Sequence, residues 1–403
     1  MKYGHLACSA AFAFWLATPV AIAAEIKVGA AGGFTGPVAE IAAGVHSARE
    51  LAVKQINEQG GLLKGDQMRL ATADSGCDPK AGVDAANKLV NVEQVVSIIG
   101  PTCSGESISM AQTVTIPAGV LLMPDSATSP AITELPDNDT VFRTVASDSD
   151  QGNALTRLVK EAGINDVAMI VANDDYNVGI AKVFQREFEA AGGKISASQT
   201  VEPQKASYRS DLATLSGAGS RTLMVFLYYN TGGITVLKNS LEGGLFDKFY
   251  GAGGMPNQAV VDQIGADNLR DRLFLATPSA DVDDPSYKLF ADAARAASIN
   301  PDEPYLANGY DATFLTALAI EKAGSADRKL LPAALREISG PEGEIIRPGE
   351  WEKAKKLIAE GKKINYEGAS GNVDFDKNGD VRGTFGVNIV SPAGKLVKGS
   401  LIR

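Results

Sequence analysis

The stretch IKVGAAGGFTGPVAEIAAGVHSARELAVKQINEQGG, residues 26–61, decides the fold. Ile26-Lys27-Val28-Gly29-Ala30 is a short run of the kind that forms a buried strand, and Gly29 to Gly36 is a glycine-rich turn. Ile41, Val45, Ala48, Leu51, Ala52, Gln55 and Ile56 then recur at helical spacing until Gly60-Gly61, where glycine lets the chain leave the helix. Strand, turn and helix in that order are one unit of a parallel sheet covered by helices. The unit repeats outward. Strand-like runs lie at Met68–Ala73, Val95–Ile99, Val120–Met123, Val141–Val145, Val167–Val171, Leu223–Leu227 and Leu273–Ala276. Helical periods lie at Gly82–Val90, Ala154–Ala162, Ile180–Ala191, Tyr287–Ala297 and Tyr305–Ala323. The pattern predicts an α/β protein with parallel sheets and helices on both faces.

These strands are too many for one such sheet, and a mature length of about 379 residues exceeds what one core organises. Thr144 to Asp150 reads as a passage between lobes, a strand running into a polar stretch that caps a helix, and Thr277-Pro278-Ser279 as a second passage. Two doubly wound lobes joined by more than one strand follow. Ligands of open α/β sheets sit at the carboxyl ends of the strands, so two facing lobes define a cleft. Near the C-terminus, Trp351–Gly361 reads as a helix and Val373–Val390 as a hairpin turning at Asn378-Gly379. Asp374, Asp376, Asn378, Gly379 and Asp380 match the opening of a calcium loop, but Phe385 stands where a bidentate Glu is needed, which favours a plain turn.

The first residues point to export. Lys2, the apolar run Leu6 to Ala17 and the small residues Ala21-Ile22-Ala23 have the order of a cleavable leader, with the cut after Ala23 or Ala24. Pro19 and Glu25 argue against a retained membrane anchor, and Cys8 precedes the apolar run where a lipid-anchor cysteine follows it. Without the leader two thiols remain, Cys77 and Cys103, 26 positions apart. In an oxidising compartment they read as one disulfide, worth about 3 to 4 kcal/mol by loop entropy, or else as two buried free thiols. The leader carries one Lys and no acid, so its removal moves the net charge from −10 to −11. An acidic surface is repelled by nucleic acid and by anionic membranes.

Catalytic chemistry finds little to work with. His46 is the one imidazole after the leader and lies on a predicted helix, Gly-x-Ser-x-Gly is absent, and a zinc site lacks ligands. Paired acids such as Asp174-Asp175 and Asp283-Asp284 suit solvated loops. Gly29 to Gly36 lacks the spacing of either nucleotide fingerprint and reads as a turn that another loop or a ligand approaches closely. Two loops after strands say more. Gly100-Pro101-Thr102-Cys103-Ser104-Gly105-Glu106 follows Ile99, and Pro124-Asp125-Ser126-Ala127-Thr128-Ser129-Pro130 follows Met123. Hydroxyls of Thr102, Ser104, Ser126 and Thr128, with backbone N–H groups, can hold a carboxylate without a cation. Helix capping by Ser104 and turn formation by Thr128 are the plainer alternatives.

The chain resembles the leucine/isoleucine/valine-binding proteins, which serve ABC importers of branched-chain and other hydrophobic amino acids. The likeness is carried, in order, by Gly36-Pro37-Val38-Ala39, Ile56-Asn57-Glu58-Gln59-Gly60-Gly61, Cys77-Asp78-Pro79-Lys80, Cys103-Ser104, Ala127-Thr128-Ser129-Pro130, Asp148-Ser149-Asp150-Gln151-Gly152 and Phe375-Asp376-Lys377-Asn378-Gly379-Asp380. It implies the fold of a type I periplasmic binding protein, α/β with two Rossmann-like doubly wound lobes joined by three crossings, and a bond between Cys77 and Cys103. It implies that Ser104 and Thr128 hold a ligand carboxylate with help from the backbone of Ser126 and Thr128. Tyr176 and Tyr229 are then aromatics of the second lobe, and Tyr305 lines the side-chain pocket. Two departures stand out: Gly253 replaces the family's ammonium-binding Glu, and Ile41 replaces a first-lobe Tyr. Asp125 or Asp281 would have to supply the missing charge, or the ligand lacks an α-ammonium.

The expectation is therefore a periplasmic solute-binding protein that takes an amino acid or related small carboxylate to a membrane permease. It is monomeric, needs neither cofactor nor metal, and is not an enzyme. The leader spans 1–24, one lobe 25–146 with 278–376, and the other 147–277 with 377–403. The alternatives are a binder of an aromatic or aliphatic acid without an amine, a ligand sensor, and an exported hydrolase.

Overall fold

The computed structural model describes residues 24–402, so the leader expected ahead of Ala24, Cys8 included, lies outside the described residues. Strands β1 (Glu25–Gly32), β2 (Gln67–Asp74), β3 (Ser97–Ile99) and β4 (Leu121–Met123) form a parallel sheet in the order β2-β1-β3-β4. β1 is apolar on both faces because both are covered. Val28 and Ala30 enter one core with Val45, Leu51 and Ile56 of the helix Ala39–Glu58 and with the helix Leu306–Ala323. Ala31 enters the opposite core with Ala85, Leu89 and Met110.

The second sheet has seven strands. β5 (Asp166–Ala172), β6 (Lys194–Val201), β7 (Thr222–Phe226), β8 (Lys248–Gly251) and β9 (Leu273–Pro278) run parallel, with β6 at the edge. A small sheet of β10 (Glu344–Ile346), β11 (Ile364–Gly368) and β12 (Gly371–Asn372) packs with the first lobe through Ile346, Ile364 and Tyr366. β13 (Phe385–Val390) pairs antiparallel with β9, and β14 (Leu396–Leu401) with β13. The molecule is thus two α/β lobes. β6, with the sequence KISASQTV, is half polar at the sheet edge, and β8 is four residues long, so neither has the apolar run that reveals the other strands.

Two expectations are corrected. Val141–Val145 is not a strand: Val141 alone makes a bridge, to Leu122, and the following residues carry the chain to the helix Asp148–Glu161. The hairpin does not turn at Asn378-Gly379 but between β13 and β14, where Ser391 N donates to Lys395 O at 2.8 Å. Around Asn378 a carboxylate takes the place of a strand partner, because Asp376 Oδ1 accepts from the N–H groups of Asn378 (2.8 Å) and Asp380 (3.1 Å). Gly379 has φ +76°, and a Cβ there would stand 2.3 Å from Val141 O, so the turn is pressed against the first passage between lobes.

The chain moves between lobes at three places: ahead of Asp148, after β9, and ahead of β13. Arg143 N donates to Gly379 O at 2.9 Å, and Ser279 N to Thr384 O at 2.9 Å, so the passages are bonded to one another.

Beneath the first lobe's loops Arg49 and Asp125 are both fully buried. Arg49 Nη2 lies 2.6 Å and Nε 2.7 Å from Asp125 Oδ2, and Nη1 donates to Ala31 O at 2.9 Å. Removing one charge leaves the other buried and unpaired. Asp125→Ala is expected to lower stability by about 3 to 5 kcal/mol, whereas Arg49→Met with Asp125→Leu recovers most of the loss; denaturant titration reads both.

Candidate functional site

The loops that end β3 and β4 meet side by side. Ser104 begins the helix Ser104–Met110, and its Oγ accepts from Ser129 N at 3.2 Å, which leaves its proton free to donate. Ser126 Oγ donates to Thr102 O at 3.2 Å, and Thr102 Oγ1 accepts from Gly33 N at 3.2 Å. The glycine-rich turn is thereby docked on the Thr102 loop, and a Cβ on Gly33 would stand 2.9 Å from Val38 and 3.1 Å from Cys77 N. Cys77 and Cys103 form a disulfide, as the resemblance implies. Cys103 N donates to Glu106 Oε1 at 2.7 Å, fixing the start of the helix.

The second lobe contributes from the carboxyl ends of β5, β7 and β8. Tyr176 lies in the first turn of the helix Asp175–Ala190, which Asp174 caps by accepting from Asn177 N at 2.8 Å. Its ring lies 5.6 Å from that of Tyr228, centroid to centroid. Gly253 and Gly254 follow β8. Between the lobes a small cavity is lined by residues of both. Val38, Ile41, Thr102, Cys103, Ser104, Ser126 and Tyr305 come from one side, and Tyr176, Tyr228, Gly253 and Gly254 from the other. None of them is charged.

Of the residues expected from the sequence, Thr102, Ser104, Ser126, Tyr176 and Tyr305 are brought together in this wall. Thr128 lies behind it, buried, with Oγ1 donating to Asp148 Oδ2 at 3.0 Å. Tyr229 is not in the wall: its hydroxyl donates to Glu40 Oε2 at 3.0 Å outside the cavity, and Tyr228 takes the inner place. Strand alternation explains the exchange, since Tyr228 continues the series Met224, Phe226 that faces the Tyr176 helix, while Tyr229 continues Leu223, Val225, Leu227. Asp125 is committed to Arg49, and Asp281 sits in an exposed loop accepting from Asp283 N, so neither replaces the missing carboxylate.

Asp148, which begins the helix after the first passage, went unnoticed as a site residue. It is fully buried, its Oδ1 has no partner among the described residues, and burial pushes its carboxyl up to about 7. Burial likewise pushes Glu106 up to about 7. The place of Asp148 within the polar stretch of the Thr144 to Asp150 passage was the available signal. Tyr176 and Tyr228 are held far above the usual phenol range by burial, so their hydroxyls stay neutral. His46 packs edge-on to Phe34, and burial followed by the Arg49 charge pulls it down to about 4, so it is neutral at ordinary pH.

At the cavity mouth the lobes are tied by Glu40. Its Oε2 accepts from Tyr229 Oη at 3.0 Å and from Asn257 Nδ2 at 2.9 Å, and Asn230 Nδ2 donates to Pro37 O at 2.8 Å. Deeper in, a Cβ on Gly105 would stand 2.4 Å from Asp175 Oδ2, so the lobes touch there through bare backbone.

Comparison with known proteins agrees with this geometry. The family described as "Receptor family ligand binding region" matches residues 44–390. The chain belongs to that family, and within it to the leucine/isoleucine/valine-binding proteins. The leucine-, isoleucine-, valine-, threonine- and alanine-binding protein of Pseudomonas aeruginosa is 29% identical over 359 residues, covering 89% of this chain and 87% of that one. A leucine binding protein from Thermotoga maritima superposes with a TM-score of 0.78 at 22% identity, covering 94% of this chain and 99% of that one. A solute binding protein of an ABC transporter from R. palustris, in complex with benzoate, superposes with a TM-score of 0.75 at 19% identity, covering 94% and 96%. These neighbours share the fold of type I periplasmic binding proteins. Among the described residues no helix is long and apolar enough to cross a membrane, and no cluster of three or more His, Cys, Asp or Glu is placed to hold a metal ion.

Two outcomes follow from the site. Glu40→Ala removes the tie at the mouth, and an exposed charge-assisted bond of about 1 kcal/mol predicts roughly fivefold faster ligand release in stopped-flow fluorescence. Asp148 and Glu106 bind protons more tightly folded than unfolded. Stability therefore falls as pH rises from the ordinary carboxylate range to about 7, and Asp148→Asn flattens that slope in thermal melts.

Proposed function

We propose that this chain is the exported solute-binding component of an ABC importer, capturing a small carboxylate in the cavity between its lobes and delivering it to a membrane permease. The observation that carries the reading is the wall itself: the hydroxyl-bearing residues Thr102, Ser104, Ser126, Tyr176, Tyr228 and Tyr305 come from two lobes to line one cavity. Hydroxyl donors grip an anion by replacing its water with oriented dipoles, and no cation is required. Leucine and benzoate, named for the solved relatives, are both small carboxylates. Thr128 supports the wall from behind by holding Asp148, and the disulfide pins the Ser104 loop to the Cys77 loop.

Capture works by closure. The lobes turn about the passages near residues 144–147, 278–284 and 381–384 and meet through Glu40 and Gly105, which excludes water and joins the two surfaces a permease would read. The division into lobes at 25–146 with 278–376 and at 147–277 with 377–403 is supported by the separate cores, with Val381 still packed on the first. The leader at 1–24 places the mature chain in the periplasm, where it acts as a monomer. It is read as a binding protein and not as an enzyme, in line with its solute-binding relatives.

Native mass spectrometry of the protein purified from cells, with thermal shifts across amino and organic acids, tests the reading. A co-purifying carboxylate and a ligand-dependent rise in melting temperature are expected. Ser104→Ala weakens the bound acid about tenfold, the worth of one hydroxyl-to-carboxylate bond. Full affinity in Ser104→Ala combined with Thr102→Val would move the ligand out of this cavity.

A further inference from the structure

We propose that Tyr305 and Gly253 together set the ligand class, because the Tyr305 hydroxyl fills the space that any side chain at position 253 would need, and that the ligand is a carboxylate without an α-ammonium. The inference rests on the binding function proposed above and narrows it.

A Cβ built on Gly253 stands 2.5 Å from Tyr305 Oη and 3.2 Å from Tyr176 Oη. No side chain tolerates the first distance, so either position 253 stays glycine or Tyr305 leaves. Tyr305 is poorly placed to leave. Its ring is rigid beyond two torsions, it packs against the first lobe's core, and its backbone is held left-handed at φ +64° where it caps the helix Leu306–Ala323. Its carbonyl accepts from Gly309 N at 2.9 Å. Gly254 is crowded as well, with a Cβ there 3.0 Å from the Tyr228 ring. The second lobe therefore cannot project a carboxylate from this turn while Tyr305 is in place.

No other wall residue makes up for it. The lining holds no acid, so a ligand ammonium would meet only neutral oxygens, whereas the hydroxyls of Ser104 and Tyr176 keep protons free to meet a ligand carboxylate. The carboxylates nearby are already engaged: Asp125 with Arg49, Asp174 with Asn177, Glu106 with Cys103 N, and Asp148 with Thr128. Asp148 Oδ1 and Glu106 Oε2 remain unpartnered among the described residues, but both residues lie outside the wall, in surroundings that favour the protonated acid. Ile41 adds an apolar contact, so the far end of the cavity suits an aliphatic or aromatic body.

Calorimetry on the mature chain with matched pairs tests this: leucine against 4-methylpentanoate, phenylalanine against 3-phenylpropanoate, and alanine against propanoate. At least one deaminated acid is expected to bind tenfold or more tighter than its amine. The reverse order overturns the inference and leaves the solute-binding function standing, while failure of all six, with no carboxylate co-purifying, overturns both. The steric part is read from variants. Gly253→Ala is expected to weaken the preferred acid at least tenfold, and Gly253→Ala with Tyr305→Phe, which deletes the obstructing oxygen, to regain most of that loss. Melting temperatures without ligand show whether each variant folds. Wild-type affinity in a folded Gly253→Ala, or no recovery in the double variant, removes Tyr305 from the role.

Discussion

Arg143 is the interaction on which the arrangement of lobes and site depends. Its side chain is entirely buried at the first passage, and a buried guanidinium is tolerated only when its donors and its charge are met. Nε donates to Asp380 Oδ1 at 2.6 Å, Nη1 to Ser129 O at 2.9 Å, and Nη2 to Thr133 Oγ1 at 2.6 Å, while Thr133 Oγ1 donates to Asp380 Oδ2. One side chain thus ties the third passage, through Asp380, to the loop that carries Ser126 and Thr128. The calcium-like motif around Asp376 has its meaning here. Asp380 is the counter-charge of Arg143, and Asp376 shapes the turn that delivers it.

The same loop is bonded to the helix of the second lobe, because Asp148 N donates to Thr128 O at 2.8 Å and Thr128 Oγ1 donates back to Asp148. Movement of the lobes about the first passage therefore acts on the loop that forms the cavity floor. Closure in turn depends on small residues where the backbone of one lobe meets side chains of the other, at Gly105 against Asp175 and at Gly179, whose Cβ would stand 3.2 Å from Ser129 Oγ. Polar contacts at the mouth, centred on Glu40, are exposed and individually weak, which suits a trap that must also open.

The fold was legible because the strands of doubly wound sheets are buried on both faces and announce themselves as apolar runs separated by glycine-ended helices. What hid were β6 at a sheet edge, the four-residue β8, and the true partner of β13, which was read as a hairpin arm but pairs with β9 from more than a hundred residues away. Asn378-Gly379 misled for a related reason, since the local preference for a tight turn is real but says nothing about what flanks it. In the site, the hydroxyls at strand ends were readable from composition. The choice between Tyr228 and Tyr229 required carrying the alternation of β7 two residues past its end. Asp148 was signalled only by its place in the polar passage, and Glu40 was out of reach, because its role comes from partners about 190 to 220 positions away.

Ile41 and Gly253 looked like two separate departures from the family pattern, and the structure makes them one. Both face the same cavity, one from each lobe, and neither brings a polar side-chain group to it. A single loss of a carboxylate would leave a void and an unmet charge, which costs several kcal/mol whenever an ammonium is bound. Here the void at position 253 is occupied by the Tyr305 hydroxyl, and the backbone of Tyr305 is held in a conformation that residues with a Cβ rarely adopt. Strain kept at a binding wall marks a position where the surrounding packing overrules local preference. Together the two departures leave a neutral, phenol-rich wall, in which a carboxylate meets hydroxyl donors and an amine meets no opposite charge.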